Sequence, residues 1–408
     1  VTTAPSAGLT GALPSRRLSA ALLAMAVGSF AIGTTEFATM GLLPQIADTF
    51  SATIPQAGWL VSAYALGVVV GAPVIILATP RAPRTGLLVA LALALAVGNA
   101  LSALAPTLAT ALGARFLAGV PHGAYFGIAA VVASAVSPPQ RRARSVSMVM
   151  VGLTVATMLG VPVSTALGQS LGWRSLYWLV TVVALVGAVA VWRRVPAVPV
   201  RAGATARREL TALRSAQLWL AVGTGAIGFG GMFAVYSYIT PTMTEVAGIA
   251  QGHVPWVLAL FGVGMTLGTL LGGRLADRSV HGAILTGLAA MAVTLAAFAA
   301  WATAPVPALV LVLAVAVGSQ FIGPALQTRL LDVSREGPSL GAALHHSALN
   351  IGNALGAWVG GLVIAAGHGF LAPAWAGVVL ALAGLLLAVG AVLLERRTGT
   401  PGPSTLIG

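Results

Sequence analysis

Long apolar stretches run through this chain, interrupted by short clusters of arginine, proline and small polar residues. Many reach the length of about 20 residues that a helix needs to cross about 30 Å of hydrocarbon. Taking the breaks from proline, arginine and loop signals, the pattern predicts helices near 18–43, 56–79, 86–104, 108–136, 145–169 and 174–192. A second six are predicted near 216–243, 254–275, 282–303, 306–327, 340–366 and 372–394. The predicted fold class is an all-α membrane protein, with twelve transmembrane helices in two pseudo-symmetric six-helix bundles. Its divisions are a tail at 1–17, a first bundle at 18–192, a linker at 193–215, a second bundle at 216–394 and a tail at 395–408.

The two bundles share a register. An offset of 197 residues pairs Gly28 with Gly225, Gly33 with Gly230, Pro44 with Pro241, Trp59 with Trp256, Gly67 with Gly264, Gly71 with Gly268, and Arg81 with Arg278. An offset of 200 pairs Gly152 with Gly352 and Gly160 with Gly360. The halves therefore read as a duplicated six-helix unit, an arrangement common among transporters.

Composition agrees with lipid as the solvent. Soluble chains carry about a quarter of their residues charged, whereas this one has 7% charged and 58% hydrophobic residues and a mean hydropathy of +0.96. A net charge of +13 could suggest nucleic acid, but all 21 basic residues are arginine and they sit in the breaks between apolar runs. With the N-terminus inside, the inner loops hold Arg81 and Arg84, then Arg141, Arg142 and Arg144, then Arg193 to Arg214, then Arg274 and Arg278, then Arg329 and Arg335, and finally Arg396 and Arg397. Only Arg115 and Arg174 fall elsewhere. That asymmetry predicts a multi-pass protein of the cytoplasmic (cell inner) membrane with both termini cytoplasmic, and no nucleic-acid partner. The linker arginines could also rest on anionic lipid headgroups. Ser15, Arg16 and Arg17 before Ala24, Met25 and Ala26 imitate a cleaved twin-arginine signal, but the many spans that follow favour a first-helix anchor. With no cysteine, disulfides, thiolate metal sites and thiol nucleophiles are excluded; no cofactor or metal is expected.

Small residues let helices approach in lipid. Such ridges occur at Gly67 and Gly71, at Gly264, Gly268 and Gly272, and at Gly352, Gly356 and Gly360; spacing alone leaves static packing and sliding contacts both open. The end of span 8 is more specific, with Gly273, Arg274, Leu275, Ala276, Asp277 and Arg278. Here the chain resembles the major facilitator superfamily, whose loop motif after span 2 is often echoed after span 8. The resemblance implies that Asp277 pairs with an arginine and latches one state, with Gly273, Arg278, Arg81 and Arg84 in the same role. In the first half the segment is Pro80, Arg81, Ala82, Pro83 and Arg84, with prolines in place of the glycine and the acid.

Span 4 carries Arg115, Phe116, Leu117, Ala118, Gly119, Val120, Pro121, His122, Gly123, Ala124, Tyr125, Phe126 and Gly127. It is similar to the span-4 motif of the drug and sugar proton-antiporter group, close to its arabinose-efflux and chloramphenicol-resistance-like permeases. An arginine within a span is costly and normally faces a partner or a watery cavity. Arg115, Gly119 and His122 share one helix face, and imidazole can titrate near neutrality. In span 1, Glu36 is the one carboxylate placed well inside an apolar run. Burial favours a neutral carboxyl and a nearby arginine favours its anion, so a Glu that loses and regains an arginine neighbour can carry a proton. A satisfied interior side chain is the other reading of each. Span 5 has Gly152, Gly160, Pro162 and Gly168, resembling in loosened form the family's antiporter motif, which is associated with efflux. Phe229, Phe233 and Tyr236 in span 7 could form an aromatic cavity wall or simply pack. His345 and His346 read as interfacial.

The resemblance covers spans 1 to 12 and implies a transporter, not an enzyme, that exports a small solute such as a drug or sugar-like metabolite in exchange for protons, acting as a monomer. A proton-independent facilitator or importer of the same fold, or a non-transporting sensor, stays open. An intramembrane hydrolase would need paired acids, a Ser–His dyad or a metal cluster within the spans.

Overall fold

The computed structural model describes residues 13–198, 212–334 and 338–398. Parts of both tails and of the linker, with Arg201, Arg207, Arg208 and Arg335, lie outside the described residues. Twelve helices among the described residues are long and apolar enough to cross a membrane. They are Ser15–Gly41 (span 1), Ile54–Ala78 (span 2), Arg84–Leu104 (span 3), Leu108–Ala135 (span 4), Pro139–Leu171 (span 5) and Arg174–Arg194 (span 6), followed by Ala216–Tyr236 (span 7), Gln251–Arg278 (span 8), Val280–Trp301 (span 9), Pro305–Val333 (span 10), Leu340–Ala365 (span 11) and Ala372–Arg397 (span 12). No strand occurs among the described residues. Within each half, connections much shorter than the spans make successive spans run in opposite directions, which gathers the arginine clusters on one face of the molecule.

Every span anticipated from the hydrophobic pattern is present, and the differences lie at ends and breaks. At the arginine-rich face the helices outrun the apolar runs. Span 5 begins at Pro139, span 6 continues to Arg194, and the last helix reaches Thr398. Arginine permits this because its aliphatic stem lies along a helix end while the guanidinium reaches water. Arg174, at the opposite face, donates to the carbonyl of Ala105 at 3.1 Å and stacks on Trp173 at 4.3 Å. Exposed tryptophans, including Trp59, Trp256 and Trp301 at one face and Trp192 and Trp219 at the other, form the belts typical of a membrane interface.

Several spans break near mid-depth. Span 4 is interrupted at Val120 and Pro121, where proline lacks an N–H and its ring crowds the preceding turn. Span 10 is interrupted between Gln320 and Ile322. In span 5 a π-turn at Ala156–Gly160 ends two residues before Pro162, a common way for a helix to absorb such a defect. Span 7 breaks at Phe229.

Packing repeats between the halves at the level of single carbonyls. A Cβ on Gly67 of span 2 would run into the carbonyl oxygen of Phe116 in span 4, and one on Gly71 into that of Val120. In the second half, a Cβ on Gly264 of span 8 would crowd the carbonyl oxygen of Leu313 in span 10, and one on Gly268 that of Val317. Both glycines and both carbonyls are displaced by the same 197 positions. The duplication is thus preserved where backbones touch, which is where lipid-embedded helices gain their association energy. Spans 2 and 11 join the halves: Ser62 donates to the carbonyl of Ala354 at 3.2 Å, and Ala72 and Ile76 cluster with Ala343 nearer the arginine-rich face.

Gly67→Leu is expected to force spans 2 and 4 apart and destabilise the protein by about 1–3 kcal/mol or more, read as a lower unfolding temperature in detergent. Gly113→Leu, at an exposed site with open space around it, should leave that temperature unchanged; equal effects of the two substitutions would contradict the packing account.

Candidate functional site

Span 1 runs between the halves, and three consecutive residues on it meet three different surroundings. Thr35 faces the first half, where its hydroxyl donates to Asn99 Oδ1 of span 3 at 2.6 Å. The buried carboxyl of Glu36 lies against the amide of Asn353 in span 11, although neither polar atom of that amide meets hydrogen-bond geometry. Phe37 faces the second half, stacking on Phe233 with centroids 6.1 Å apart and meeting Tyr236 edge-on at 5.6 Å.

Arg115 is almost fully buried, and its contacts come from neutral groups. It donates to Thr35 Oγ1 at 2.9 Å and to the Thr35 carbonyl at 3.2 Å. Its guanidinium lies 4.2 Å from the ring centroid of Tyr64 and 5.4 Å from that of Tyr177. These contacts suit a planar cation in a dry setting, yet Nε makes no bond. No ion pair among the described residues includes Arg115; Glu36, one residue beyond its hydrogen-bond partner, is the carboxyl whose charge it senses.

His122 lies past the break in span 4, and its Nδ1 is 3.1 Å from the Tyr64 hydroxyl. Arg115 and His122 therefore converge on one side chain, as their shared helix face suggested. Phe229 and Phe233 touch at 5.7 Å, and Tyr236 meets Phe261 of span 8 at 4.3 Å. With Phe37 these rings form a continuous aromatic wall between the halves beside Glu36.

The span-5 residues lie behind this site. A Cβ on Gly152 would run into the carbonyl of Ala26, one on Gly160 into Thr34 and Phe30, and one on Gly168 into Leu42. With Pro162 after the π-turn, they let span 5 lie close along span 1 and so position the backbone that carries Glu36. The loop residues remain apart from it. Asp277, Arg278 and Arg81 are exposed, Gly273 is half-buried, and no ion pair among the described residues includes Asp277. Arg84 closes the end of span 2 by donating to the carbonyls of Thr79 at 3.2 Å and Pro80 at 3.0 Å.

Two expectations are corrected. Arg329 is a buried residue of span 10 instead of an inner-loop residue, bonded at 2.9 Å to Glu395 and at 2.9 Å to Gln217. Buried charge is thus present in both halves, tolerated here because a carboxylate neutralises it; Glu395 is 66 positions away, so nothing local in the sequence announced the pair. His345 is buried and His346 half-buried, packed at the contact of spans 4 and 11 instead of lying at an interface.

Tyr64, Asn99 and Asn353 take part in the site without having been singled out from the sequence, and His346 takes part at a depth that its sequence position did not suggest. Signals existed for three of them. Tyr64 lies on the Gly67 and Gly71 face of span 2, and His346, Asn350 and Asn353 form an i, i+4, i+7 polar stripe in span 11.

Among known proteins, the family model of the Major Facilitator Superfamily matches residues 25–336 and 223–406. The "Inner membrane transport protein YdhP" of Escherichia coli (strain K12) is 38% identical over 371 residues, covering 91% of this chain and 95% of that one. The "Chloramphenicol resistance protein" of Streptomyces lividans is 33% identical over 371 residues, with 90% and 95% covered. In fold, the chain is similar to the bacterial homologue of the human lysosomal transporter Spinster in its inward-facing, occupied conformation, with TM-score 0.71 and 17% identity over 94% of this chain and 98% of that one.

Thr35→Val removes the hydroxyl that links Arg115 to Asn99 and should cost about 1.5–3 kcal/mol, the scale for a hydrogen bond to a charged group. Thr35→Ser should restore most of the unfolding temperature. If Val is tolerated as well as Ser, the Thr35 bridge does not hold the arginine.

Proposed function

The chain belongs to the major facilitator superfamily, and from that premise we propose that it exports a small organic solute, of a drug or sugar-like kind, in exchange for protons. It is a multi-pass membrane transporter of small solutes, not an enzyme. The observation that carries the finer reading is Glu36, a buried carboxyl at the junction of the halves with Arg115 on one side and the aromatic wall on the other. A carboxyl there can be neutral while dry and ionised when Arg115 or water reaches it. Phe37, Phe229, Phe233 and Tyr236 offer an apolar face for a solute, and Asn353 offers an unbonded donor and acceptor beside the acid.

In the proposed cycle Glu36 takes a proton from outside, the halves rock about their junction, and a cytoplasmic solute is exchanged outward at mid-membrane. The arginine-rich face is assigned to the cytoplasm by the positive-inside asymmetry, with both termini on that side. The proposed divisions are a tail at 1–17, bundles at 18–192 and 216–394, a linker at 193–215 and a tail at 395–408, with terminal helices that run a few residues past these bounds. Linker and loop arginines rest on anionic headgroups. Asp277 and Arg278, with Gly273, Arg81 and Arg84, serve as the latch in a state other than this one, since Asp277 is exposed here. One chain of twelve spans suffices as the transport unit.

The test is expression in an efflux-deficient host against a broad toxicity panel, followed by flux of the identified solute in proteoliposomes with an imposed pH gradient. Glu36→Gln is expected to lower gradient-driven export at least tenfold while leaving the protein folded. Undiminished gradient-driven export by Glu36→Gln would remove Glu36 from the mechanism, and export indifferent to the gradient in the unaltered chain would favour a facilitator.

A further inference from the structure

From Arg115 toward the arginine-rich face, polar contacts continue along one line. Tyr64 lies under Arg115 and bonds His122. His122 faces His346 of span 11 with ring centroids 5.8 Å apart. His346 stacks flat on Phe126, at 4.9 Å and 7°, and touches His345 at 5.5 Å. Span 4 belongs to the first half and span 11 to the second, so the two imidazoles meet across the seam. That seam is tight around them. A Cβ on Gly123 would press on Ala72 and touch His346, and Ser347 donates to the carbonyl of Val69 at 3.4 Å.

We propose that His122 and His346 form a proton-operated clasp between the halves, and that they are the second station for the proton carried by Glu36. The inference rests on the proton-coupled reading above and assigns what the proton does after Glu36. The proton leaves the Glu36 carboxyl and ends on Nδ1 of His122, the nitrogen that the Tyr64 hydroxyl meets at 3.1 Å. An O–H bond breaks at Glu36, an N–H bond forms at His122, and Tyr64 is unchanged. A carboxylate is left in the field of Arg115, and an imidazolium now faces His346.

The surroundings decide the consequence. The titratable and charged groups on the packed elements are Glu36 on span 1, Tyr64 on span 2, and Arg115 and Tyr125 on span 4, where Tyr125 donates to the carbonyl of Met25. Span 5 adds Arg141, Arg142 and Arg144 at its exposed end, span 1 adds Arg16 and Arg17, span 3 adds Arg84, which donates to the end of span 2, and span 12 ends in Arg396 and Arg397. Span 11 adds His345, span 7 adds Tyr236 and Tyr238, and span 10 adds Asp332 with the Arg329–Glu395 pair, which span 12 completes. No ion pair among the described residues includes either imidazole of the clasp. A charge held in the closed seam is withdrawn from water with no counter-ion in contact, which is costly, and opening the seam hydrates it. The state that holds the proton more readily gains as pH falls. Acid therefore opens the arginine-rich side and alkali closes it, so proton arrival at the pair both opens that side and delivers the proton there.

The chain has no cysteine, so Gln140→Cys in span 5 and Thr328→Cys in span 10, both exposed near the arginine-rich ends, accept a pair of spin labels without background. In the full chain in lipid nanodiscs, the inter-label distance is expected to lengthen on moving from mildly alkaline to mildly acidic buffer. His346→Gln, and His122→Gln on the other half as the second variant, should each hold the distance short in both buffers, whereas Glu36→Gln should still open with acid. A pH-insensitive distance in the unaltered chain, or acid opening that survives both glutamine variants, overturns the clasp. Proton-driven flux separates the two ideas. If Glu36→Gln loses coupled flux and both histidine variants keep it, coupled export stands and the clasp falls. If the histidine variants abolish acid opening in a chain that shows no proton-driven flux, the seam device stands and coupled export falls.

Discussion

Inside hydrocarbon an apolar side chain gains no hydrophobic free energy by exchanging lipid for a neighbouring helix, so the packing of this protein depends on how closely its backbones can approach. Gly67 and Gly71 against the carbonyls of Phe116 and Val120, and their counterparts Gly264 and Gly268 against Leu313 and Val317, are that constraint in physical form. The contacts bring span 4 against span 2 closely enough for Tyr64 to reach both Arg115 and His122. A looser pairing would leave the arginine without its aromatic floor. The polar site is thus a consequence of small-residue packing one and two turns away.

The repeat accounts for the scaffold and not for the chemistry. The position equivalent to Glu36 in the second half is Phe233, which stacks on Phe37 beside the acid. One half supplies Glu36 and Arg115 and the other supplies most of the aromatic wall, so the site exists only where the two meet. Charge is placed in the second half too, but as the Arg329–Glu395 pair near the arginine-rich face, where each charge satisfies the other. Arg115 is held differently, by a hydroxyl, a carbonyl and two rings. A cation without a bound counter-ion keeps its field available to a neighbouring carboxyl such as Glu36.

Much of this was legible in one dimension. Span number and order follow from the spacing of apolar runs, because bilayer thickness sets helix length. The 197-residue register announced the duplication, and Glu36 and Arg115 stood out because a charge within a span is expensive enough to need a reason. The aromatic residues of span 7 could be named from helical spacing, although whether they faced a cavity or a neighbour could not.

Tertiary structure alone decided who meets whom. Asn353 reaches Glu36, Asn99 reaches Thr35, and His346 reaches His122 from helices far away in the chain, and no local pattern encodes such a distance. Arg329 looked like a loop residue because its neutralising carboxylate lies on another span. His345 and His346 looked interfacial because depth in the bilayer depends on where a helix begins and how it tilts, which packing sets. The sequence by itself determined the number of crossings, the duplicated scaffold and the two intramembrane charges of the first half, all from the cost of placing polar groups in lipid. The pairing of those charges with neutral partners, and the histidine contact across the seam, were decided only when twelve helices packed together.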